Sequence, residues 1–173
     1  MTRAERTELV ARAGTFYREL FEECADSMKK AGIPINYDRI VDFGIIPIRN
    51  TRAICRSYDE KNEFGIYIDR GAVYHMDDKR VVDNIRSVLC HELLHTCPGC
   101  MTHNEKFLEY ARLCDEKLST KTLRHIDKKL YYNPDLPVKM KLLCENCGFE
   151  HFLSYDFDEE CECEICGKIM KRI

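Results

Sequence analysis

No stretch of this chain is long and apolar enough to cross a membrane. Its opening, "MTRAERTELV", alternates charge with isolated apolar residues and lacks the apolar core of a signal peptide. A soluble, cytoplasmic protein with no membrane partner is the expectation. Bulk basic charge is missing too. The net charge is −3 and the sequence pI about 6.1, so no whole surface is built to grip phosphates, and any contact with DNA has to be local. Length is also limited: 173 residues allow one substantial core and a small appended module. What the chain has in quantity is cysteine. Eleven is a high and odd number, which in an oxidising compartment would imply disulfides with one thiol left over. Without an export signal, metal ligation is the better reading for part of that set.

The pattern along the chain divides it. From residue 2 to residue 31, Leu9, Ala13, Phe16, Leu20, Cys24 and Met28 recur at steps of three or four, an amphipathic helix that Gly32 and Pro34 end. From residue 40 to 74, short apolar stretches such as "IVDFGIIPI", "RAICRSYD" and "FGIYID" alternate with polar turns and predict a small antiparallel sheet. Asp77 or Asp78 can cap a second helix through "RVVDNIRSVLCHELLHTC", stopped by Pro98-Gly99. "THNE" at 102–105 has the form of a capping box and places a third helix almost at His103. "YYNPDLPVKM", with two prolines, reads as a linker. The boundaries are therefore a domain over 1–130, a linker at 131–139 and a module at 140–173 too small to fold on a hydrophobic core alone.

The densest chemistry lies in "HELLHTCPGCMTH", residues 91–103. His91 and His95, four apart on a helix, put two imidazoles on one face about 6 Å apart, close enough to share a zinc ion. Glu92, one position round the helix, can act as base toward a water at the metal without being a ligand. His103 follows a Pro-Gly break that lets the chain reverse. Three neutral imidazoles leave a fourth position open, the pattern of catalytic and not of closed structural zinc. The compact pattern with glycine three and histidine six residues after His95 fails, because Pro98 and Met101 stand there. Glu109 or Glu116 is a rival third ligand on the following helix. Cys97 and Cys100 form a Cys-x-x-Cys that suits a redox pair, a second metal, or plain turn cysteines after a helix end. Cys24, Cys55, Cys90 and Cys114 look like small core residues.

Near the end, Cys144, Cys147, Cys163 and Cys166 form two Cys-x-x-Cys pairs with fifteen residues between them, the spacing of a structural zinc site. Gly148 and Gly167 follow the pairs and suit the tight turn beneath a knuckle. Cys161 breaks the two-residue spacing and is left out. A tetrathiolate site is closed, so zinc here folds the module and does not catalyse. Phe149, Phe152, Tyr155 and Phe157 have the chemistry to stack on bases. From Lys139 onward, however, five basic residues face eight acidic ones, and phosphate repulsion argues against DNA on this face.

With "RAICRS", "HELLH", the Pro-Gly turn, "THNEKF" and the cysteine pairs together, most of the chain resembles the SprT-like family of zinc metalloproteases, which includes the Spartan-type proteases. His103 and Phe107 fill the places of the family's third histidine and following aromatic. Many members carry glycine directly after that histidine, whereas this sequence has Asn104. The resemblance implies an α+β, zincin-like protease domain with a C-terminal β zinc ribbon. It also implies one catalytic zinc on His91, His95 and His103, a second, structural zinc, and protein substrates attached to DNA. On this reading Glu92 is the catalytic base and the chain hydrolyses peptide bonds. Tyr74, His75 and His125 are present as oxyanion donors, though a solvent-exposed role suits each better. The competing expectation is a binding module in which both zinc ions are structural and the ribbon docks a protein or nucleic-acid partner without turnover.

Overall fold

The computed structural model describes residues 2–48, 52–58, 62–122, 139–148, 150–153, 160–163 and 166–173, with backbone alone at Arg3, Arg6, Arg80, Phe152 and Leu153. Most of the expected linker, His125, and the stacking candidates Phe149, Tyr155 and Phe157 lie outside the described residues, as does the Phe152 side chain. Among the described residues, no helix is long and apolar enough to cross a membrane.

Helix α1 spans Arg3–Lys30 and opens on a reciprocal cap. The Thr2 hydroxyl accepts the Glu5 N–H at 3.2 Å, and the Glu5 carboxylate accepts the Thr2 N–H at 2.6 Å. It ends where Gly32 takes φ +82°, a conformation that favours glycine. The buried stripe of α1, Ala13, Tyr17, Leu20, Phe21, Cys24, Ala25 and Met28, forms one wall of the core. Burying those side chains is what makes so polar a helix stable, because helices in proteins draw most of their stability from packing.

Three strands follow: β1 (Ile40–Ile46), β2 (Ala53–Tyr58) and β3 (Glu63–Asp69), in the order β1-β3-β2. The expectation of an antiparallel sheet holds for β2 with β3 and not for β1 with β3, which run parallel. The reason is topological. β3 returns from β2 and inserts between its two predecessors, so the strand that follows β1 in sequence is not its neighbour. Phe43, Ile66, Ile68 and Ala53 face the helices. On the other face Tyr58 and Tyr67 cross over Gly65, where an added Cβ would meet three of their atoms at 2.8 Å. The Tyr67 hydroxyl donates to Asp42 at 2.6 Å.

After a 3-10 turn at Arg70–His75, helix α2 covers Lys79–Leu94 and helix α3 covers Glu105–Leu118. The Asp78 carbonyl accepts the first helical bond of α2, from the Val82 N–H at 3.0 Å. At its far end α2 tightens into three-residue turns, His95 to Glu92, Thr96 to Leu93 and Cys97 to Leu94, and so closes ahead of Pro98. Asn36, just beyond α1, clamps this end: its N–H donates to the Thr96 hydroxyl at 3.1 Å and its amide to the Thr96 carbonyl at 2.8 Å. Cys24, Cys90 and Cys114, one from each helix, are buried core residues as expected.

The C-terminal region carries β4 (Met140–Leu143), β5 (Glu150–Leu153) and β6 (Lys171–Arg172), antiparallel in the order β5-β4-β6. The architecture is thus α+β, with helices, two small sheets and a C-terminal cysteine cluster compatible with a zinc ribbon. Met140, Leu142 and Met170 join the same buried cluster as the helices. Arg52, just before β2, donates to His151 Nδ1 at 2.9 Å and ties the two sheets together.

Candidate metal centres

His91, in the last turn of α2, and His95, one residue beyond its end, bring their rings together, and His103 comes back toward them from the turn before α3. Their ligating nitrogens all lie within 4.8 Å of one another, with the Nε2 atoms of His91 and His103 at 3.1 Å. Two nitrogens each about 2.1 Å from one tetrahedral ion would be about 3.4 Å apart, so this spacing suits shared ligation. The opposite edge of each α2 imidazole is held by backbone. His91 Nδ1–H donates to the Thr122 carbonyl at 3.3 Å, and His95 Nδ1–H to the Cys100 carbonyl at 2.9 Å. Bonds of this kind set the tautomer: with Nδ1 protonated, Nε2 presents its lone pair inward. Facing lone pairs at 3.1 Å repel unless a cation or proton lies between them, so the donor chemistry fits a divalent metal.

Phe107 supports the triad from below. It is fully buried, and its ring centroid lies 5.0, 4.8 and 4.7 Å from those of His91, His95 and His103. Burial lowers the pKa of His95, which favours the neutral, ligating form, while the bond to the Cys100 carbonyl works against that shift. His103 is exposed, and thus forms the solvent side of the site. The rival ligands Glu109 and Glu116 are exposed residues of α3 and are not part of the cluster.

The expected Thr102 capping box gives way to a different cap. Asn104 is the N-cap of α3: its side-chain oxygen accepts the Phe107 N–H at 3.0 Å, and its amide donates back to the Gly99 carbonyl at 2.7 Å. His103 therefore stands just outside the helix and not in its first turn. Asparagine does both jobs because it carries an acceptor and a donor on one short side chain.

Glu92 is 7% exposed and faces β2. The Asp69 N–H donates to the Arg52 carbonyl at 2.8 Å, so antiparallel alternation turns the N–H of Cys55 away from β3. That N–H bonds the Glu92 carboxylate. Burial pushes the Glu92 pKa up to about 8, against the opposing pull of the Cys55 N–H. A carboxyl titrating near neutrality can both accept and return a proton. Comparison with family models, with curated proteins and with solved structures returns no match.

The second cluster joins Cys144, Cys147, Cys163 and Cys166, again with all ligating atoms within 4.8 Å. The Sγ pairs Cys144–Cys166 and Cys147–Cys163 stand 3.4 and 3.5 Å apart. The Gly148 N–H donates to the Cys144 carbonyl and the Gly167 N–H to the Cys163 carbonyl, both at 2.8 Å, with φ at +69° and +78°. These are paired knuckle turns. The Lys168 N–H is the main influence holding the Cys166 thiol down, to about 6. Four such thiolates suit zinc. Cys161 stays outside the cluster.

Cys97 and Cys100 are buried in the turn between α2 and α3. Cys100 contributes its carbonyl to His95, so its part in the site is played by backbone. Tyr74 and His75 are half-buried, not solvent-exposed. Sequence reasoning missed three supports of the site: the carbonyls of Thr122 and Cys100 and the N–H of Cys55. Backbone groups leave no signature in residue type.

Proposed function

We propose that the chain is a zinc metallopeptidase of the His-Glu-x-x-His type, with a zincin-like body and a structural zinc ribbon of SprT-like character. The observation that carries this reading is the convergence of the imidazoles of His91, His95 and His103, with the buried Glu92 directly following His91 on α2. His91, His95 and His103 would hold the ion, and a zinc so bound supplies Lewis acidity that lowers the pKa of water and polarises a carbonyl.

The chain's own residues do the rest. Glu92 takes a proton from the attacking water and passes it to the leaving nitrogen, a double role that suits a carboxyl whose burial has moved its pKa toward neutrality. The Cys55 N–H aims that carboxyl, and Thr122 and Cys100 hold His91 and His95 in register. Proteins attached to DNA are the proposed substrate class, on the strength of the SprT-like resemblance. The acidic excess of the C-terminal region limits DNA contact to local patches elsewhere.

The test is cleavage of an unfolded protein substrate by the purified, zinc-loaded chain, with and without DNA, next to Glu92→Gln. Loss of a general base should cut the rate about 100- to 10,000-fold, with two zinc ions per chain retained. If the wild-type chain cuts nothing under either condition, the binding-module reading replaces this one.

A further inference from the structure

We propose that Asp115 is a positioning residue for the histidine site, acting through the turn at 120–122 that holds His91. The inference rests on the reading of His91, His95 and His103 as metal ligands. Helix α3 ends where Ser119 takes the left-handed conformation, φ 54°, and the chain turns back along α2. There the Lys121 N–H donates to Ser87 Oγ at 3.0 Å, and the Ser87 hydroxyl donates to the Asp83 carbonyl at 3.1 Å. Ser87 and His91 are spaced by four on α2 and share one face, so the turn lies along the face that carries His91.

Asp115 fixes this turn from the other side. Its Oδ1 accepts the Thr122 N–H at 2.6 Å and the Thr120 hydroxyl at 2.9 Å. The Thr120 and Thr122 hydroxyls are themselves 2.9 Å apart. Both threonines are buried, Thr122 completely. One residue, Thr122, thus has its N–H pinned by a carboxylate while its carbonyl receives Nδ1–H of His91. Bonds to an ionised acceptor are the stronger kind, and an outer partner of a ligating histidine controls its orientation and basicity. Loss of Asp115 lets the Thr122 carbonyl swing, and with it the imidazole of His91.

The full chain is loaded with zinc, and each ion's affinity is measured by competition with a chromophoric chelator; the absorption spectrum after cobalt substitution reports the geometry of each site. Asp115→Ala is expected to weaken the histidine-site ion about 10- to 100-fold and to alter its cobalt spectrum, with the tetrathiolate ion unchanged. Asp115→Asn, which keeps one oxygen where both bonds land, recovers most of the affinity. Thr120→Val, which removes one bond and preserves shape, gives a smaller loss and stands in if Asp115→Ala does not fold. A purely structural role for Asp115 would lower thermal stability and leave the affinity alone. Wild-type affinity in Asp115→Ala or in Thr120→Val overturns the proposal, as does an Asn variant no better than Ala. A wild-type chain that holds the ribbon ion alone would instead overturn the ligand reading on which the proposal stands.

Discussion

The histidine centre and the cysteine centre take their ligands from very different amounts of surrounding protein. The imidazoles stand on α2 and the turn before α3, with Phe107 beneath them and the carbonyls of Thr122 and Cys100 behind two of them. That scaffold is part of the main core. The thiols come from two tight turns on three short strands, with local N–H groups such as that of Lys168 favouring thiolate. One site is a triad that the folded body holds in place, with His103 at the solvent. The other is four thiols on two tight turns, the donor set of a closed structural zinc, in which an ion would supply folding energy. An ion bound to the first can act on something else, whereas an ion bound to the second has no position left to offer.

The largest effect that separates the two is metal removal. Structural zinc binding is worth about 10–16 kcal/mol in small tetrathiolate and related modules, more than the strands β4 to β6 can supply. Cys163→Ser should therefore abolish amide protection from residue 139 onward in hydrogen exchange while α1 to α3 stay protected. His103→Ala should lose its ion and leave the stability of the metal-free protein within about 0.5 kcal/mol, because His103 is exposed. Equal loss of protection in α2 and in the ribbon of Cys163→Ser would show one cooperative unit, joined by Met140, Leu142 and the Arg52–His151 bond, and would end the contrast.

Next in size is the pH dependence of the metal-free protein. Folding raises the Glu92 pKa from 4.5 to about 8. Between those values the folded state binds more protons than the unfolded state, so this carboxyl makes stability fall as pH rises through that window. The full cost of the charged form is on the order of 5 kcal/mol. His95 acts in the opposite sense at lower pH, since its pKa is depressed and stability is regained as it loses its proton. Subtracting the urea stability curve of Glu92→Gln from that of wild type isolates the first effect, and a difference that stays flat from pH 5 to pH 8 would disprove it. The cysteine cluster has no buried carboxyl among its ligands, and the depressed Cys166 pKa gives a slope of the opposite sign, stability rising with pH between about 6 and 9 as the thiolate forms.

A third effect tests the scaffold itself. Phe107→Ala removes a fully buried ring and should cost about 3–5 kcal/mol by urea denaturation. It should also weaken the histidine-site ion, because all three imidazoles rest on that ring. Phe107→Leu, which keeps apolar bulk, should recover much of the stability and less of the affinity. An unchanged affinity in the alanine variant would mean that the carbonyl anchors alone suffice.

How much of this was legible beforehand follows from where each constraint lives. Helices α1 and α2, the histidine and cysteine clusters and the paired knuckles are written in side-chain type and spacing, so the residues that make them can be read in order. The parallel pairing of β1 with β3 is different, because it depends on where β3 inserts, and no local pattern in "IVDFGII" records its neighbour. The Thr122 and Cys100 carbonyls are invisible for a related reason: any residue can supply a carbonyl, and tertiary structure alone decides which one meets an imidazole. At the start of α3 the stronger-looking motif misleads. Thr102 and Glu105 have the spacing of a capping box, but Asn104, nearer the ligand, satisfies the helix and the preceding turn together.

That last choice gives the smallest and most discriminating prediction. Asn104 does two separable things: its oxygen caps α3 through the Phe107 N–H, and its amide ties the turn to the Gly99 carbonyl. Asn104→Ala loses both, at a cost of about 1 kcal/mol for the cap. Asn104→Asp keeps an acceptor for Phe107 N–H and loses the donor to Gly99, so stability should return to near wild type. If the tie to Gly99 also steadies His103, the aspartate variant should still bind the histidine-site ion more weakly than wild type, once the attraction of an added negative charge is screened by salt. The ribbon ion, whose ligands share nothing with this turn, should be indifferent to all three residues. Full recovery of both stability and affinity in Asn104→Asp would assign the whole effect to the helix cap, and His103 would then be held by the metal and its neighbouring rings alone.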